Sequence, residues 1–317
     1  MPIVNSSVVL PVEYARGVIT GISGKSKALE LGYRLPNMRG KTYKLNVLSA
    51  LPFAAWVKNY GSPNAEGTEI NRKPLTALAW EGKDLVAETI AAIVTVSKET
   101  LADVSDYVAL ANEMQEQVVA AFQEVLDATV FFGENSPWSG YRGIVAEATT
   151  AGAVVEWDGT AGTSFYDAIS KAMEFVETSG YIPDAILGSP TLNSALRGAI
   201  TPLGINVTDQ GQIGNLYKHI SLTGGFADGG VFIVGDFKRG LVYSFREEMS
   251  VELAKEATLK APDGTEYNLF QQNMVAFRFE MRFAAAIANP VNRINQTGKR
   301  YPFAVIKNTA YDGSGSR

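Results

Sequence analysis

The sequence predicts an α+β fold in which a long β-hairpin precedes a long amphipathic helix, and a mixed α/β unit follows. Three observations support this class. Residues 42–57 and 74–96 are strand-like segments on either side of a polar turn. Residues 106–132 repeat apolar side chains at helical spacing, and short apolar strands then alternate with helices between residues 165 and 245. This order of parts describes an arm that protrudes from a larger body.

The predicted hairpin has no hydrophobic core of its own. Its outgoing strand carries apolar residues on one parity, namely Leu45, Val47, Leu51, Phe53, Ala55 and Val57. A two-stranded ribbon is marginally stable in water unless something covers one of its faces. About 14 residues at about 3.3 Å each reach about 45 Å, farther than the radius of an ordinary domain. We expect another copy of the chain to supply the cover, and a hairpin folded back onto its own sheet is the alternative.

The long helix has a predicted apolar face and a predicted end. Gly133 supplies the stop, and residues 134–143, with Pro137 and Trp138, are predicted to form a surface connection at a domain boundary. Charged and polar side chains fall largely on the opposite side of the helix. The residues expected on the buried face are Tyr107, Leu110, Ala111, Met114, Val118, Ala121, Phe122, Val125 and Thr129.

Shorter elements are predicted on both sides of this region. Residues 1–40 are expected to be an extended arm with one short helix, at residues 12–22, and residues 313–317 to be a flexible tail. The elements predicted after residue 143 are helices at 165–178 and 190–197, strands at 185–188, 231–235, 240–245 and 250–255, a turn at Asp263 and Gly264, and a long strand at 274–288. In the long strand, Val275, Phe277, Phe279, Met281 and Phe283 share one parity, opposite Arg278, Glu280 and Arg282.

Composition narrows the class of protein. Hydrophobic residues make up 46% of the 317 residues and charged residues 19%, below the roughly 25% that is usual, which indicates surface hidden in an assembly. No apolar run approaches the about 20 residues that a membrane span needs, and no secretory signal is predicted, so we expect the chain to be made and used in the cytoplasm. The chain has no cysteine, which excludes disulfides and thiolate metal sites.

Charge and histidine content argue against catalysis and against tight DNA binding. The net charge of −5 and the pI of about 5.2 do not favour neutralisation of DNA phosphates. His219 is the sole histidine, and its neighbours predict an ordinary loop or strand residue. The glycine pairs at 224–225 and 229–230 lack the lysine of a phosphate-binding loop and are predicted to be turns. We therefore expect no catalytic residue, no metal site and no cofactor.

Several short motifs follow one another in an order that resembles the major capsid proteins of tailed phages, which have the Hong Kong 97-like capsid fold. Each motif is a packing pattern, so the evidence is their shared order along nearly the whole chain. The motifs are Phe53-Ala54-Ala55-Trp56-Val57, residues 94–101, Phe131-Phe132-Gly133, Gly143-Ile144, Gly235-Asp236-Phe237, the arginine-bearing strand 277–283 and the closing segment 302–307.

The resemblance implies a division of the chain and a set of subunit contacts. The division is an N-terminal arm (1–41), an extended loop formed by the hairpin (42–96), a peripheral domain with a long spine helix (97–136 and 246–300), an axial α/β domain (137–245), and a closing strand with a flexible tail (301–317). In that family the extended loop lies across an adjacent subunit, and the turn at Asp263 and Gly264 would be the threefold loop. The candidate contact residues are Trp56, Lys58, Glu66, Glu69, Arg72, Lys73, Trp80, Asp263 and Gly264.

The resemblance also implies partners. Copies of the chain would assemble as hexamers and pentamers into an icosahedral shell around a double-stranded DNA genome, in the cytoplasm of a bacterial host. The arm reaches the hairpin within about 40 residues, so we expect a separate scaffolding protein, together with a portal and a possible decoration protein. Lys58, Lys73, Asn268 and Asn273 have no local crosslinking motif, and no crosslink is predicted.

Three other classes stay open at this point. An encapsulin-type nanocompartment shell has the same fold but encloses protein cargo. An oligomeric α/β enzyme would need a pocket with paired ionisable groups. A phage tail or decoration protein would form tubes, rings or surface knobs.

Overall fold

The computed structural model describes most of the body of the chain. The described residues are 26–52, 76, 78–99, 107–160, 162–202, 212–213, 216–223, 226, 230–261, 263–295 and 300–310. Several predicted features lie outside them, namely the helix at 12–22, the hairpin tip at 58–73, the glycines at 224–225 and 229, and the tail at 313–317.

The described elements form two larger sheets, two ribbons and a set of helices. The helices are α1 (Lys27–Leu31), α2 (Tyr107–Asp127) with a π-helical turn at Ala128–Phe132, α3 (Gly143–Ala151), α4 (Thr163–Thr178), α5 (Thr191–Gly198) and α6 (Phe237–Gly240). The strands are β1 (Tyr33–Arg34), β2 (Thr42–Ala50), β3 (Ala79–Val86), β4 (Glu88–Ser97), β5 (Val154–Trp157), β6 (Ala185–Gly188), β7 (Gln212–Ile213), β8 (Leu216–Ile220), β9 (Val231–Gly235), β10 (Leu241–Ala254), β11 (Thr258–Lys260), β12 (Glu266–Asn268), β13 (Met274–Ile287) and β14 (Phe303–Asn308).

The predicted hairpin is present, but its returning segment is two strands. Strands β2 and β3 pair antiparallel from Thr42 opposite Val86 to Ala50 opposite Ala79. The returning segment breaks at Ala87, which is fully buried, and β4 then pairs with β13 instead of β2. Burial of Ala87 and Leu85 turns the chain from the ribbon into the body. Periodicity alone did not reveal this break, because both strands have the same alternating pattern.

The four-stranded sheet has the order β1-β10-β13-β4. The prediction of two separate strands at 240–245 and 250–255 was wrong, since β10 runs without interruption from Leu241 to Ala254. Irregular pairing between Phe245 and Ser250 absorbs the polar residues in the middle of the strand, as β-bulges do. The predicted parity of β13 is confirmed by the buried Phe279 and Phe283.

The six-stranded sheet has the order β5-β14-β9-β6-β8-β7. The predicted strands at 185–188 and 231–235 are confirmed at the same bounds as β6 and β9. The closing strand β14 lies inside this sheet, parallel to β5 and antiparallel to β9. Helix α3 lies where the chain leaves the predicted connection at 134–143, and its glycine start and small residues left no periodic signal.

Two hydrophobic clusters pack on opposite faces of the six-stranded sheet. One joins α1, α2 and α3 with both larger sheets, and it includes Phe122, Phe131, Phe237, Phe279, Phe283 and Phe303. The other packs α4 and α5 on the remaining face, and it includes Trp157, Phe165, Ile169, Leu192 and Phe232. Each fully buried aromatic side chain contributes about 1.5–3 kcal/mol relative to an exposed one. The first cluster therefore ties the two larger sheets together.

Helix α2 ends as predicted, but some positions of its predicted buried face are exposed. Gly133 has a left-handed backbone with φ of 74°, and its N–H bonds back to the helix, which confirms the stop. Val118, Phe122 and Thr129 are buried as expected. The placement of Ala121 and Val125 on the buried face was wrong, because both side chains are exposed, that of Val125 by 45%. Leu126 takes the core position instead.

Two glycines make the crossing between the helix end and α3 possible. Gly133 and Gly143 both have positive φ, of 74° and 83°. A Cβ atom on Gly133 would overlap the backbone of Arg142, and one on Gly143 would overlap the backbone of Gly133. Only glycine permits both this backbone conformation and this close approach.

Candidate subunit interface

The base of the β2–β3 ribbon is attached to the body of its own chain. Leu85 is fully buried beside residues of β10 and β13. The indole Nε1 of Trp138 donates to the Val86 carbonyl at 2.7 Å. Farther from the base, on β2, the N–H of Val291 donates to the Leu48 carbonyl at 3.0 Å. These contacts fix the direction in which the ribbon leaves the body.

Strand β3 is exposed over residues 79–84, while residues 47–50 of β2 are half-buried. Strands β2 and β3 form a two-stranded sheet that joins neither larger sheet. Three large apolar side chains face solvent there, since Trp80 is 59% exposed, Leu78 52% and Tyr43 45%. Bare apolar area of this kind costs free energy in an isolated chain and marks interaction sites.

One face of the ribbon combines the exposed tryptophan with a flat surface. Trp80 lies opposite Leu48, and Gly82 opposite Asn46. A Cβ atom at Gly82 would meet nothing within 4 Å, so the backbone is open to close approach. An exposed tryptophan next to an open backbone provides the large, rigid contact area that is typical of interaction hot spots.

The four-stranded sheet has a charged face with an incomplete set of ion pairs. Arg278 bonds Glu252 at 2.6 Å and lies 3.6 Å from Glu280. The Nε atom of Arg282 is buried and has no acceptor in the described part of the chain. A buried donor without an acceptor costs about 1–3 kcal/mol. An acceptor from outside the described residues would remove this cost.

The β11–β12 hairpin forms a tip that extends from the four-stranded sheet. Its turn is closed by the N–H of Gly264, which donates to the Ala261 carbonyl at 2.9 Å, and Gly264 has a φ of 89°. The backbone of Thr265 donates to the Asp263 carboxylate, and this bond lowers the pKa of Asp263. At the other end of this hairpin, after β12, Phe270 is 70% exposed. The predicted turn is confirmed.

The predicted contact residues have three different outcomes. Trp80 lies on the exposed ribbon, while Asp263 and Gly264 form the tip turn on a different sheet. The remaining candidates lie outside the described residues, namely Trp56, Lys58, Glu66, Glu69, Arg72 and Lys73. The structure adds exposed apolar residues that the sequence did not single out, namely Tyr43, Leu78, Tyr267 and Phe270.

His219 has a structural partner. It lies on β8, as the prediction of an ordinary residue allowed, and its Nδ1 is 3.3 Å from a carboxylate oxygen of Glu30 in α1. Burial lowers the pKa of His219, and the Glu30 carboxylate acts in the opposite direction. The pair connects α1 with the six-stranded sheet.

Within the described residues, no group of three or more histidine, aspartate or glutamate side chains is placed to hold a metal ion. Within the same residues, no helix combines the length and apolar character of a membrane span.

Comparisons with known proteins agree on one family. The model of the phage capsid family matches residues 6–294. The major capsid protein of Staphylococcus phage 80alpha is 26% identical over 284 residues, which cover 87% of this chain and 81% of that protein. A solved chain from Microbacterium phage Oxtober96 is 31% identical with a TM-score of 0.74, covering 90% of this chain and 91% of that one. A chain from Mycobacterium phage Cain is 27% identical with a TM-score of 0.73, covering 90% of each chain.

The matches span both larger sheets, the ribbon and the long helix, so they concern the whole architecture and not one motif. The predicted Hong Kong 97-like fold is confirmed, and the family is one of structural proteins rather than enzymes. The chain belongs to the phage capsid family and is a major capsid protein of the tailed-phage type.

Proposed function

We propose that the exposed ribbon and the β11–β12 tip are the surfaces through which copies of this chain join into hexamers and pentamers. The observation that carries the proposal is Trp80, which is 59% exposed on a ribbon that pairs with neither larger sheet. A neighbouring copy would cover this face. The residues expected at the ribbon tip, which lie outside the described ranges, would extend the same contact; they include Trp56, Lys58, Glu66, Glu69, Arg72 and Lys73.

The tip would make a second contact. Tyr267 lies on β12 of this hairpin, Phe270 follows that strand in the connection to β13, and both expose aromatic surface. Three such tips would meet around a threefold axis. The Asp263 carboxylate is already bonded by the Thr265 N–H, so the turn would enter the contact as a preformed unit and lose little conformational entropy.

Repetition would make modest contacts sufficient. Area buried between two subunits converts poorly to affinity, because ordering and lost freedom oppose it. A chain that engages several neighbours through the ribbon and the tip at the same time gains from their combined effect. A closed shell would therefore be far more stable than any isolated pair of subunits.

The division into domains is part of the same proposal. The peripheral domain would be α2 with the four-stranded sheet, and the axial domain would be the six-stranded sheet with α4 and α5. The cluster that packs α4 and α5 contains residues of the six-stranded sheet and none of the four-stranded sheet, which supports an axial domain of this composition. Strands β5 and β14 pair within the six-stranded sheet, so the proposed axial domain includes the closing strand.

The shell would enclose double-stranded DNA with little adhesion. A net charge of −5 disfavours tight phosphate contacts and would let the genome move during filling. A separate scaffolding protein, a portal and a possible decoration protein would assist assembly in the bacterial cytoplasm. Proteins that copurify with particles made in the host, identified by mass spectrometry, test these partners.

Deletion of residues 59–72 tests the ribbon proposal. We expect a soluble subunit with wild-type circular dichroism that forms no closed shells by electron microscopy, because the deletion removes the ribbon tip and leaves the described body intact. Normal shells from this variant would overturn the proposal.

A point variant refines the same test. Trp80→Ala removes exposed aromatic area from the ribbon, and Phe175→Ala, at a position 41% exposed on α4, is the matched control. We expect fewer shells from the first variant, by about tenfold or more at equal subunit concentration, and near-normal yield from the second. Equal yields would show that Trp80 makes no assembly contact.

A further inference from the structure

An apolar groove lies between the second half of α2 and the start of β4. It has a volume of about 440 Å³. Ala121 and Val125 of α2 form one wall, Ile90 of β4 the other, and Trp138 closes one end. The Trp138 ring is held in place by its bond to the Val86 carbonyl. The groove therefore has a rigid apolar lining that is open to solvent.

The groove explains why α2 carries more apolar residues than its core needs. Val118, Phe122 and Leu126 point into the body, while Val125 lies on a second apolar sector and stays 45% exposed. A second sector on a helix is typical of a helix that packs against two different elements. Only one of these elements is present among the described residues.

The rim of the groove is acidic. Glu124 and Glu134 line it together with Glu88. Glu88 is paired with Lys41 at 3.3 Å, while the structure shows no cation that pairs with Glu124 or Glu134 among the described residues. The segment that covers the groove would therefore be apolar and carry a cation.

We propose that residues 1–25 of the same chain occupy this groove. They are rich in β-branched and other apolar residues, with Arg16 and Lys25 as cations against the single acid Glu13. Such a segment has no core of its own and gains free energy when its apolar side chains leave water. Arg16 supplies the charge that the rim lacks.

The attachment point of this segment is close to the groove. Ser26, where the described chain begins, bonds the Asp127 carboxylate at 2.7 Å. Asp127 lies between Leu126 and Ala128, which both line the groove. The path around α2 is about the 10–12 Å diameter of a helix, and 25 extended residues reach about 80 Å. A few residues therefore suffice to bring the arm from Ser26 into its own groove.

Disulfide trapping tests the proposal. Because the chain has no native cysteine, only the introduced cysteines can form a disulfide. Val4→Cys, Val9→Cys, Val12→Cys and Ile19→Cys are each combined with Val125→Cys, so that the test does not depend on one register. The control series combines the same four arm variants with Phe175→Cys. We expect, under mild oxidation of assembled particles, at least one Val125 pair to crosslink within a single chain at least tenfold more than its control, as seen by mass spectrometry of linked peptides.

Two outcomes would overturn the proposal. Crosslinks between chains, seen as dimer bands on non-reducing gels, would assign the groove to a neighbouring copy's arm. Crosslinking no greater than in the control series would show that residues 1–25 do not occupy the groove. The same experiment on the subunit that lacks residues 59–72 separates this proposal from the ribbon proposal, because a crosslink within the chain does not require a closed shell.

A second measurement covers the possibility that cysteine disturbs the groove. Val125→Asp places a charge on the apolar wall at an exposed position, so we expect little change in thermal stability. Hydrogen exchange in residues 1–25 should become at least tenfold faster than in the wild type. Val125→Leu, which keeps the wall apolar, should retain the wild-type exchange. Unchanged exchange in the Val125→Asp variant would contradict the proposal.

Discussion

The Asp127 carboxylate, in the last turn of α2, accepts a hydrogen bond of 2.7 Å from the Ser26 hydroxyl, across 101 positions in the chain. The same carboxylate accepts from the N–H groups of Lys27 and Ala28, at 3.2 and 3.1 Å. Asp127 and Ser26 are both fully buried. A side chain of the long helix thus caps α1 and fixes the point at which the N-terminal segment joins the body.

Removal of this cap should loosen α1. Asp127→Ala leaves the Ser26 hydroxyl and two backbone N–H groups buried without an acceptor, at about 1–3 kcal/mol for each group. We expect a loss of at least about 3 kcal/mol in the free energy of unfolding, measured by denaturant titration of the subunit. Hydrogen exchange in residues 27–31 should rise with it. Asp158→Ala, at a solvent-exposed position, is the control and should change the free energy of unfolding far less. Similar losses in both variants would rule out a special role for Asp127.

The same residue should give stability a pH dependence. Burial raises the pKa of Asp127, and the hydrogen bonds from Ser26, Ala28 and Lys27 offset only part of this effect. The native state therefore binds the proton up to a higher pH than the unfolded chain, whose pKa is about 3.9. The contribution of this group to stability is full below the unfolded pKa and is lost as pH rises through the native pKa.

Asp127→Asn should remove this contribution. We expect the difference in unfolding free energy, wild type minus variant, to fall as pH rises from about 4 to about 7. The measurement is denaturant unfolding of both proteins across this range. Parallel curves would mean that Asp127 has the same pKa in the folded and unfolded chain.

The close backbone approach between Gly133 and Gly143 should tolerate no side chain at either position. Gly133→Ala and Gly143→Ala would each force a Cβ atom into backbone at a positive φ. We expect losses of more than about 4 kcal/mol, or no folded subunit, because close packing leaves no room for relaxation. Gly140→Ala is a matched control, since Gly140 has a φ of 81° but a Cβ there would meet nothing within 4 Å. It should cost about 1–2 kcal/mol. Thermal unfolding compares the three variants, and equal effects would contradict the steric explanation.

Two phenylalanines on neighbouring parts of the chain should separate folding from assembly. Phe279 is fully buried in β13, and Phe270 is 70% exposed in the connection between β12 and β13. Phe279→Ala should cost about 3–5 kcal/mol of subunit stability. Phe270→Ala should leave subunit stability within about 0.5 kcal/mol but lower the yield of closed shells. Denaturant titration and electron microscopy of both variants provide the measurements. If the Phe270→Ala subunit is folded and gives a normal yield of shells, Phe270 makes no assembly contact.

Sequence periodicity located the elements better than it located their partners. The alternation in β13 correctly predicted Phe279 and Phe283 on the buried side, because a strand in this sheet has one face in the core. The same reasoning misplaced Val125, because α2 has two apolar sectors and periodicity cannot tell which of them faces the core. Trp138 was predicted on a surface connection, and the structure shows its ring half-buried with its N–H bonded to the ribbon base.

The sequence alone predicts the order of hairpin, long helix, α/β unit and returning strands, because apolar spacing and turn residues determine local structure over a few neighbouring positions. That order was enough to indicate the capsid family. The tertiary structure alone decided that β4 leaves the ribbon for β13, that β14 lies inside the six-stranded sheet, and that Asp127 caps α1 from 100 residues away. These relationships join distant parts of the chain, and they are selected by the packing of whole surfaces, which no local pattern encodes.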